Sequence, residues 1–149
     1  MQLKIKAVSP LMGNRIPLPD YATEGAAAMD LRACLQEPLT LAPGELRTVP
    51  TGIAIALPSR AYMALLFARS GLGVKHGISL SNGVGVIDSD YRGELKVGLV
   101  NLSRRAYTIE PGDRIAQLAV VPVARPELVP ADWLEETSRG SGGFGSTGK

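Results

Sequence analysis

The segment Asn82–Glu94, NGVGVIDSDYRGE, sets two aspartates around a serine and follows them with a tyrosine. On an extended chain Asp88 and Asp90 point to one side and Tyr91 to the other, although the turn signal Arg92-Gly93 can break that alternation. A carboxylate held in a pocket can take a proton from water. Taken alone, a polar hairpin loop with solvated aspartates accounts for the segment better, because such loops are common. Ala68–Gly77, ARSGLGVKHG, closes an apolar run with Arg69, Ser70 and Gly71. A guanidinium, a hydroxyl and free N–H groups at the start of a helix all suit a phosphate. The Gly-Lys-Ser/Thr spacing of a P-loop is missing, and a helix cap beside a surface arginine would read the same way. Gln117 lies among apolar neighbours in Arg114–Gln117, RIAQ, and needs hydrogen-bond partners if buried. Asp30 lies in a run of small and apolar residues, AAAMDLRA; buried there, it requires a partner such as an arginine.

Strands must position these groups. Residues 2–8 alternate polar and apolar. Thr48–Leu57 places Ile53, Ile55 and Leu57 on one face and small alanines on the other, and Tyr62–Ala68, Leu95–Leu102 and Arg114–Val123 are rich in aliphatic residues. Pro43-Gly44, Pro58-Ser59, Arg92-Gly93 and Pro111-Gly112 separate them as turns. With 17 glycines and 11 prolines there is little room for long helices; two short ones are expected, near Ser70–Lys75 and Ala131–Glu135. Many short strands with frequent turns predict an all-β sandwich or barrel of the jelly-roll kind.

A chain of 149 residues fits one domain with one core. A net charge of +2 gives no case for a nucleic-acid partner. The single cysteine, Cys34, cannot form an internal disulfide, which favours a reducing compartment, and with one cysteine and one histidine, His76, a dedicated zinc site is not expected. No window approaches the roughly 20 apolar residues of a membrane helix, and no signal peptide is read at the start. The expected compartment is the cytoplasm. The final stretch, Arg139–Lys149, reads RGSGGFGSTGK and cannot bury a core. Its arginine and lone phenylalanine are binding residue types, unusual in a plain spacer.

Taken together and in order, five segments resemble the motifs of the trimeric deoxyuridine triphosphatase family: AAAMDLRA at 26–33, ARSGLGVKHGI at 68–78, NGVGVIDSDYRGEL at 82–95, RIAQL at 114–118 and RGSGGFGSTG at 139–148. Pro-Leu-Pro at 17–19 and VPTG at 49–52 extend the likeness over nearly the whole chain. The one departure is mild: relatives often carry a glycine at Ala28 or Met29. The resemblance implies a β-clip, or distorted jelly roll, that assembles as a homotrimer with a swapped C-terminal segment. Residues 1–138 would form the domain and 139–149 a flexible lid. It implies hydrolysis of dUTP to dUMP and pyrophosphate, which keeps uracil out of DNA and supplies dUMP for thymidylate synthesis. Asp88 would be the general base. Asn82, the hairpin backbone of Gly85, Val86, Ile87 and Asp88, and the returning strand near Lys96 would read uracil, with Tyr91 under the deoxyribose. Arg69, Ser70, Gly71 and Gln117 would contact phosphates, and Asp30 would orient arginines or metal waters. Arg139, Phe144, Gly145, Ser146 and Thr147 would close from the tail. Mg2+ would ride on the substrate phosphates and waters with no direct protein ligand. Two rivals fare worse: a dCTP deaminase of the same fold needs a catalytic glutamate, and Glu94 stands in the wrong context; a non-catalytic β-clip module would lack Asp88 or Arg139, and both are present.

Overall fold

The computed structural model describes residues 1–143. Among these, the secondary structure is antiparallel strand with a single short helix. In chain order the elements are β1 (Lys4–Ala7), β2 (Met29–Arg32), β3 (Leu39–Leu41), β4 (Leu46–Pro50), β5 (Ile53–Ala56), β6 (Tyr62–Ala68), α1 (Ser70–His76), β7 (Ile78–Leu80), β8 (Gly85–Ile87), β9 (Lys96–Asn101), β10 (Tyr107–Ile109) and β11 (Arg114–Pro122). A four-stranded sheet runs β2-β11-β6-β8 and a three-stranded one β4-β9-β7; β1-β5 and β3-β10 form two ribbons.

Period-two burial shows why these stretches become strands. In β9, Val97, Leu99 and Asn101 point inward and are fully buried, while Lys96 is exposed. One core joins the sheets, centred on Leu31, Leu41, Val49, Ile53, Ile78, Leu95, Leu99, Ile109, Ile115 and Leu118. The longest strand, β11, pairs on both flanks: Gln117 lies opposite Asp30 on one side and opposite Phe67 on the other.

The structure corrects two expectations. Thr48–Leu57 is not one strand. It breaks at Thr51-Gly52, where β4, paired to β9, hands over to β5, paired to β1. Gly52 has φ +72, and a Cβ there would stand 2.6 Å from both Cys34 Sγ and Met12 Cγ. Thr51, buried beside it, donates its hydroxyl to the Leu95 carbonyl at 2.6 Å. Ile53, Ile55 and Leu57 are buried as expected, and Ala54 is buried as well. The second correction is at Ala131–Glu135, which forms no helix. This stretch lies exposed, with Leu128, Val129, Trp133 and Leu134 all more than two-thirds accessible, and one helical turn without packing does not overcome the cost of nucleation. The remaining expected strands and the helix at Ser70 are present, with β6 matching residue for residue.

Candidate active site

Two groups of chemically capable side chains form at opposite ends of β6. The first surrounds Asp30. Pairing with the central strand β11 draws β2 into the core, so Asp30 is 8% exposed. A buried carboxylate needs compensation, and two arginines supply it. Arg69, immediately after β6, donates Nε to Asp30 Oδ1 at 2.9 Å. Arg114, the first residue of β11, donates Nη1 to Oδ2 at 3.0 Å. The register of β11 against β2 shifts between Arg114 and Ala116; such bulges redirect side chains. Arg69 Nη1 also donates to the Arg114 carbonyl at 3.3 Å, which leaves N–H groups of this guanidinium without a partner among the described residues. Ser70 and Gly71 follow at the exposed start of α1, which has no side-chain cap, and half-buried Gln117 stands opposite Phe67, two residues before Arg69. The turn Pro111-Gly112-Asp113 is tied to β2: Arg32 donates to the Gly112 carbonyl at 2.8 Å, and the Ala33 N–H to the Asp113 carbonyl at 2.8 Å.

The second group surrounds β8. This strand is the edge of its sheet, so one side of its backbone has no strand partner. Gly85 allows it to lie close to β6, because a Cβ there would press on Leu66 at 3.0 Å. Beyond Ile87 the chain leaves the sheet and returns in β9, which pairs with β4 and β7 rather than with β8. The expected hairpin therefore stands open. Between its arms lies a cavity of about 370 Å³ lined by Val86, Ile87, Asp88, Tyr91, Glu94 and Lys96, among others. The loop closing it is braced by its own bonds. Tyr91 N–H donates to the Asp88 carbonyl at 3.2 Å, and Arg92 Nη1 to the Ser89 and Tyr91 carbonyls at 2.8 and 2.9 Å. The Tyr91 hydroxyl donates to the Glu94 carbonyl at 3.1 Å. Glu94 Oε1 accepts from the Gly52 N–H at 2.9 Å, and Lys96 Nζ lies 3.9 Å from Glu94 Oε2. The Asp88 carboxylate is exposed and has no hydrogen-bond or ion-pair partner among the described residues.

The structure thus gathers Asp30, Arg69, Ser70, Gly71 and Gln117 in one place and Val86, Ile87, Asp88, Tyr91 and Lys96 in another. Asn82 lies exposed in the Leu80–Gly83 turn leading into β8. Arg139 joins neither group; its Nε donates to the Gly142 carbonyl at 3.0 Å within its own turn. Phe144, Gly145, Ser146 and Thr147 lie outside the described residues. Sequence reasoning missed two residues. Arg114 was in view as part of RIAQ, but only a fold that pairs β2 with β11 reveals that it meets Asp30. Glu94 was weighed only as a deaminase acid, yet it ties the returning arm to Gly52.

The protein is thus a small all-β fold that carries an arginine–carboxylate cluster at one end of a strand and an edge-strand cavity beside a free aspartate at the other. The sequence profile of the dUTPase family matches residues 14–148. The deoxyuridine 5'-triphosphate nucleotidohydrolase of Idiomarina loihiensis is 53% identical over 148 residues, spanning 99% of this chain and 98% of that one. Among solved structures, the dUTPase of Staphylococcus bacteriophage 80alpha with dUPNHPP superposes with a TM-score of 0.86 at 28% identity, covering 99% of each chain. A variant of the dUTPase from phage phi11 of S. aureus, described for its coordination of a structural Mg(II) ion, gives 0.78 at 25% identity over 91% of this chain and all of its own. The chain belongs to the dUTPase family, the dUTP diphosphatases.

Proposed function

We propose that the chain hydrolyses dUTP to dUMP and pyrophosphate, and thereby keeps uracil out of DNA and supplies dUMP for thymidylate synthesis. The observation that carries this reading is the unpartnered Asp88 carboxylate at the mouth of the edge-strand cavity. Uracil presents acceptor, donor and acceptor along one edge, a pattern that the free N–H and C=O groups of β8 from Gly85 to Asp88 can match, with Asn82 and the Lys96 arm alongside. Cytosine inverts two of those positions and would leave polar groups unpaired, which discriminates strongly. Tyr91 packs under the deoxyribose and leaves no room for a 2′-hydroxyl. Asp88 orients and deprotonates the water that attacks the α-phosphorus, and pyrophosphate leaves.

Arg69, Ser70, Gly71 and Gln117 hold phosphates. Asp30 touches no substrate in this scheme; its two ion pairs aim Arg69 and Arg114. Residues 139–149 form the lid over a body of residues 1–138: Arg139 completes the charge clamp, Phe144 covers uracil, and Gly145, Ser146 and Thr147 add backbone and hydroxyl contacts. The donor set fits Mg2+ in one manner. Among the described residues no three His, Cys, Asp or Glu side chains converge, and both Asp30 oxygens are engaged by arginines. An ion would therefore be held by phosphate oxygens and water, where it supplies charge neutralisation.

The separation of the two groups supports a site built between chains. Ile87 pairs with Ala64, which sets Asp88 beside Met63, six residues before Arg69. At about 3.3 Å per residue the two ends stand roughly 20 Å apart, too far for one chain's Asp88 and Arg69 to grip adjacent atoms of one nucleotide. A homotrimer brings the phosphate group of one chain to the nucleoside group of a second, while the exposed C-terminal arm of a third crosses over. The body works in the cytoplasm; no helix among the described residues is long and apolar enough to cross a membrane. Pyrophosphate release measured from dUTP, dCTP, dTTP and UTP tests the reading. Release from dUTP alone is expected, and ammonia release from dCTP would overturn it.

A further inference from the structure

A third feature lies at the far end of α1, on the opposite side of Tyr107 from the cavity that this ring shares with Arg69 and Arg114. There a cavity of about 400 Å³ is lined by Lys75 and His76 from the helix and by Arg104, Arg105 and Tyr107 from the loop into β10. No Asp or Glu lines it, and none of the four basic side chains has an ion-pair partner among the described residues. Lys75 and His76 alone have a simple account, since cations in a last helical turn complement the helix dipole. Arg104 and Arg105 do not share it, because they come from another element.

The loop that carries them is locked in place. Asn101, fully buried, donates Nδ2 to the Leu41 and Arg105 carbonyls at 3.0 and 2.8 Å and accepts at Oδ1 from the Ser103 N–H at 2.9 Å. The Ser103 hydroxyl spans Asn101 Oδ1 and the Arg105 carbonyl. The Leu102 N–H donates to the Gly77 carbonyl at 2.8 Å, and a Cβ on Gly77 would stand 2.9 Å from Ser103 Cβ. His76 meets Tyr107 with ring centroids 4.9 Å apart. A buried framework thus fixes the loop that brings Arg104 and Arg105 to the same concavity as Lys75 and His76, and the cations around it favour an anion.

We propose that this cavity is a second anion site that takes a free oligophosphate, distinct from the substrate's phosphate contacts. About 10 Å of helix separates His76 from Arg69. The test reads His76, the single histidine of the chain, by NMR of its ring signals in the intact protein during titration with inorganic tripolyphosphate at constant ionic strength. A saturable shift is expected in the wild-type protein and in Arg69→Gln. In Arg104→Gln/Arg105→Gln the midpoint should rise by roughly tenfold or more, with unchanged melting and dUTP turnover within about twofold of wild type. The proposal is overturned by any of four results: no saturable shift, a shift that survives the double substitution, a shift abolished by Arg69→Gln, or a response confined to a single-stranded oligonucleotide.

Discussion

At the Ala68 end of β6 charge is locked down; at the Tyr62 end the Asp88 carboxylate is left free. Asp30 is buried and has both oxygens engaged by guanidiniums, whereas Asp88 is exposed with no partner among the described residues. The difference follows from what each end is proposed to do. Phosphate recognition gains from cations fixed before the ligand arrives, and a buried carboxylate fixes them at the cost of its own desolvation. A general base gains from the reverse, because a neighbouring cation holds a carboxylate in its charged form and weakens it as a proton acceptor. Rigidity at the second end comes instead from the bonds that the Arg92 and Tyr91 side chains donate to backbone carbonyls, which hold the loop without touching the Asp88 carboxylate.

Breaking each end separately gives the largest effects. Asp88→Asn preserves size but removes the acceptor, so turnover should fall by roughly a hundredfold or more with dUTP affinity mostly kept. Arg69→Gln should also lose most activity. Co-refolding the two variants in equal amounts then tests the 20 Å argument. A working site needs Asp88 from an Arg69→Gln chain and Arg69 from an Asp88→Asn chain, so about a quarter of sites should recover. Zero recovery in mixed assemblies would mean that both ends of one chain serve one site. Truncation after Thr137 should abolish nearly as much activity while the unliganded melting temperature hardly moves, since residues 138–143 are exposed apart from the half-buried Gly142; a large drop in that temperature would make the tail structural.

Asp30→Asn should act more weakly and at one end only. The carboxylate side chain is 10% exposed, Arg69 22% and Arg114 44%. Discounting a buried pair for that exposure leaves an expected loss of about 1–3 kcal/mol in urea unfolding. Triphosphate affinity should fall because Arg69 is no longer aimed, while deoxyuridine affinity at the β8 cavity stays put. Equal losses for both ligands would show that the two ends are not independent.

The same contrast explains what the sequence could and could not disclose. Long aliphatic runs such as β6 and β11 were legible because seven or nine residues carry enough periodicity. β3, β7, β8 and β10, with three residues each, were not. The sheet switch at Gly52 was hidden because its cause is the packing of Cys34 and Met12 against it. Asp30 read as a buried group in need of an arginine, and the need was real; the second partner, Arg114, is 84 residues away and only strand pairing names it. The motifs placed Asp88 and Arg69 close in sequence, 19 positions apart, yet only the register of β8 on β6 shows that they face different ends.

The smallest expected effect concerns Tyr107, which lines the cavity with Arg69, Asp113 and Arg114. Burial raises its pKa above the ordinary value of 10.0, the negative charge of Asp113 adds to this, and the positive charge of Arg69 works against it. The folded state therefore favours the neutral phenol. The stability this contributes is fully present below the unfolded-state pKa and is lost as pH rises through the folded one. Urea unfolding of wild type and Tyr107→Phe at pH 9 and pH 11, a span bracketing about 10, should show a slightly steeper alkaline loss in the wild type; equal losses would remove Tyr107 as the cause. The phenol also reports on the comparison. Subtracting the ultraviolet titration of Tyr107→Phe isolates it from the other three tyrosines. In the Arg104→Gln/Arg105→Gln background, where the second cavity is disabled, inorganic tripolyphosphate bound at Arg69 adds negative charge beside the phenol and offsets the guanidinium, so ionisation should move further up. Deoxyuridine, bound at the other end of β6, should leave it in place. A shift with deoxyuridine of the same size would mean that the two ends communicate, and the division between a locked phosphate end and an open nucleoside end would have to be abandoned.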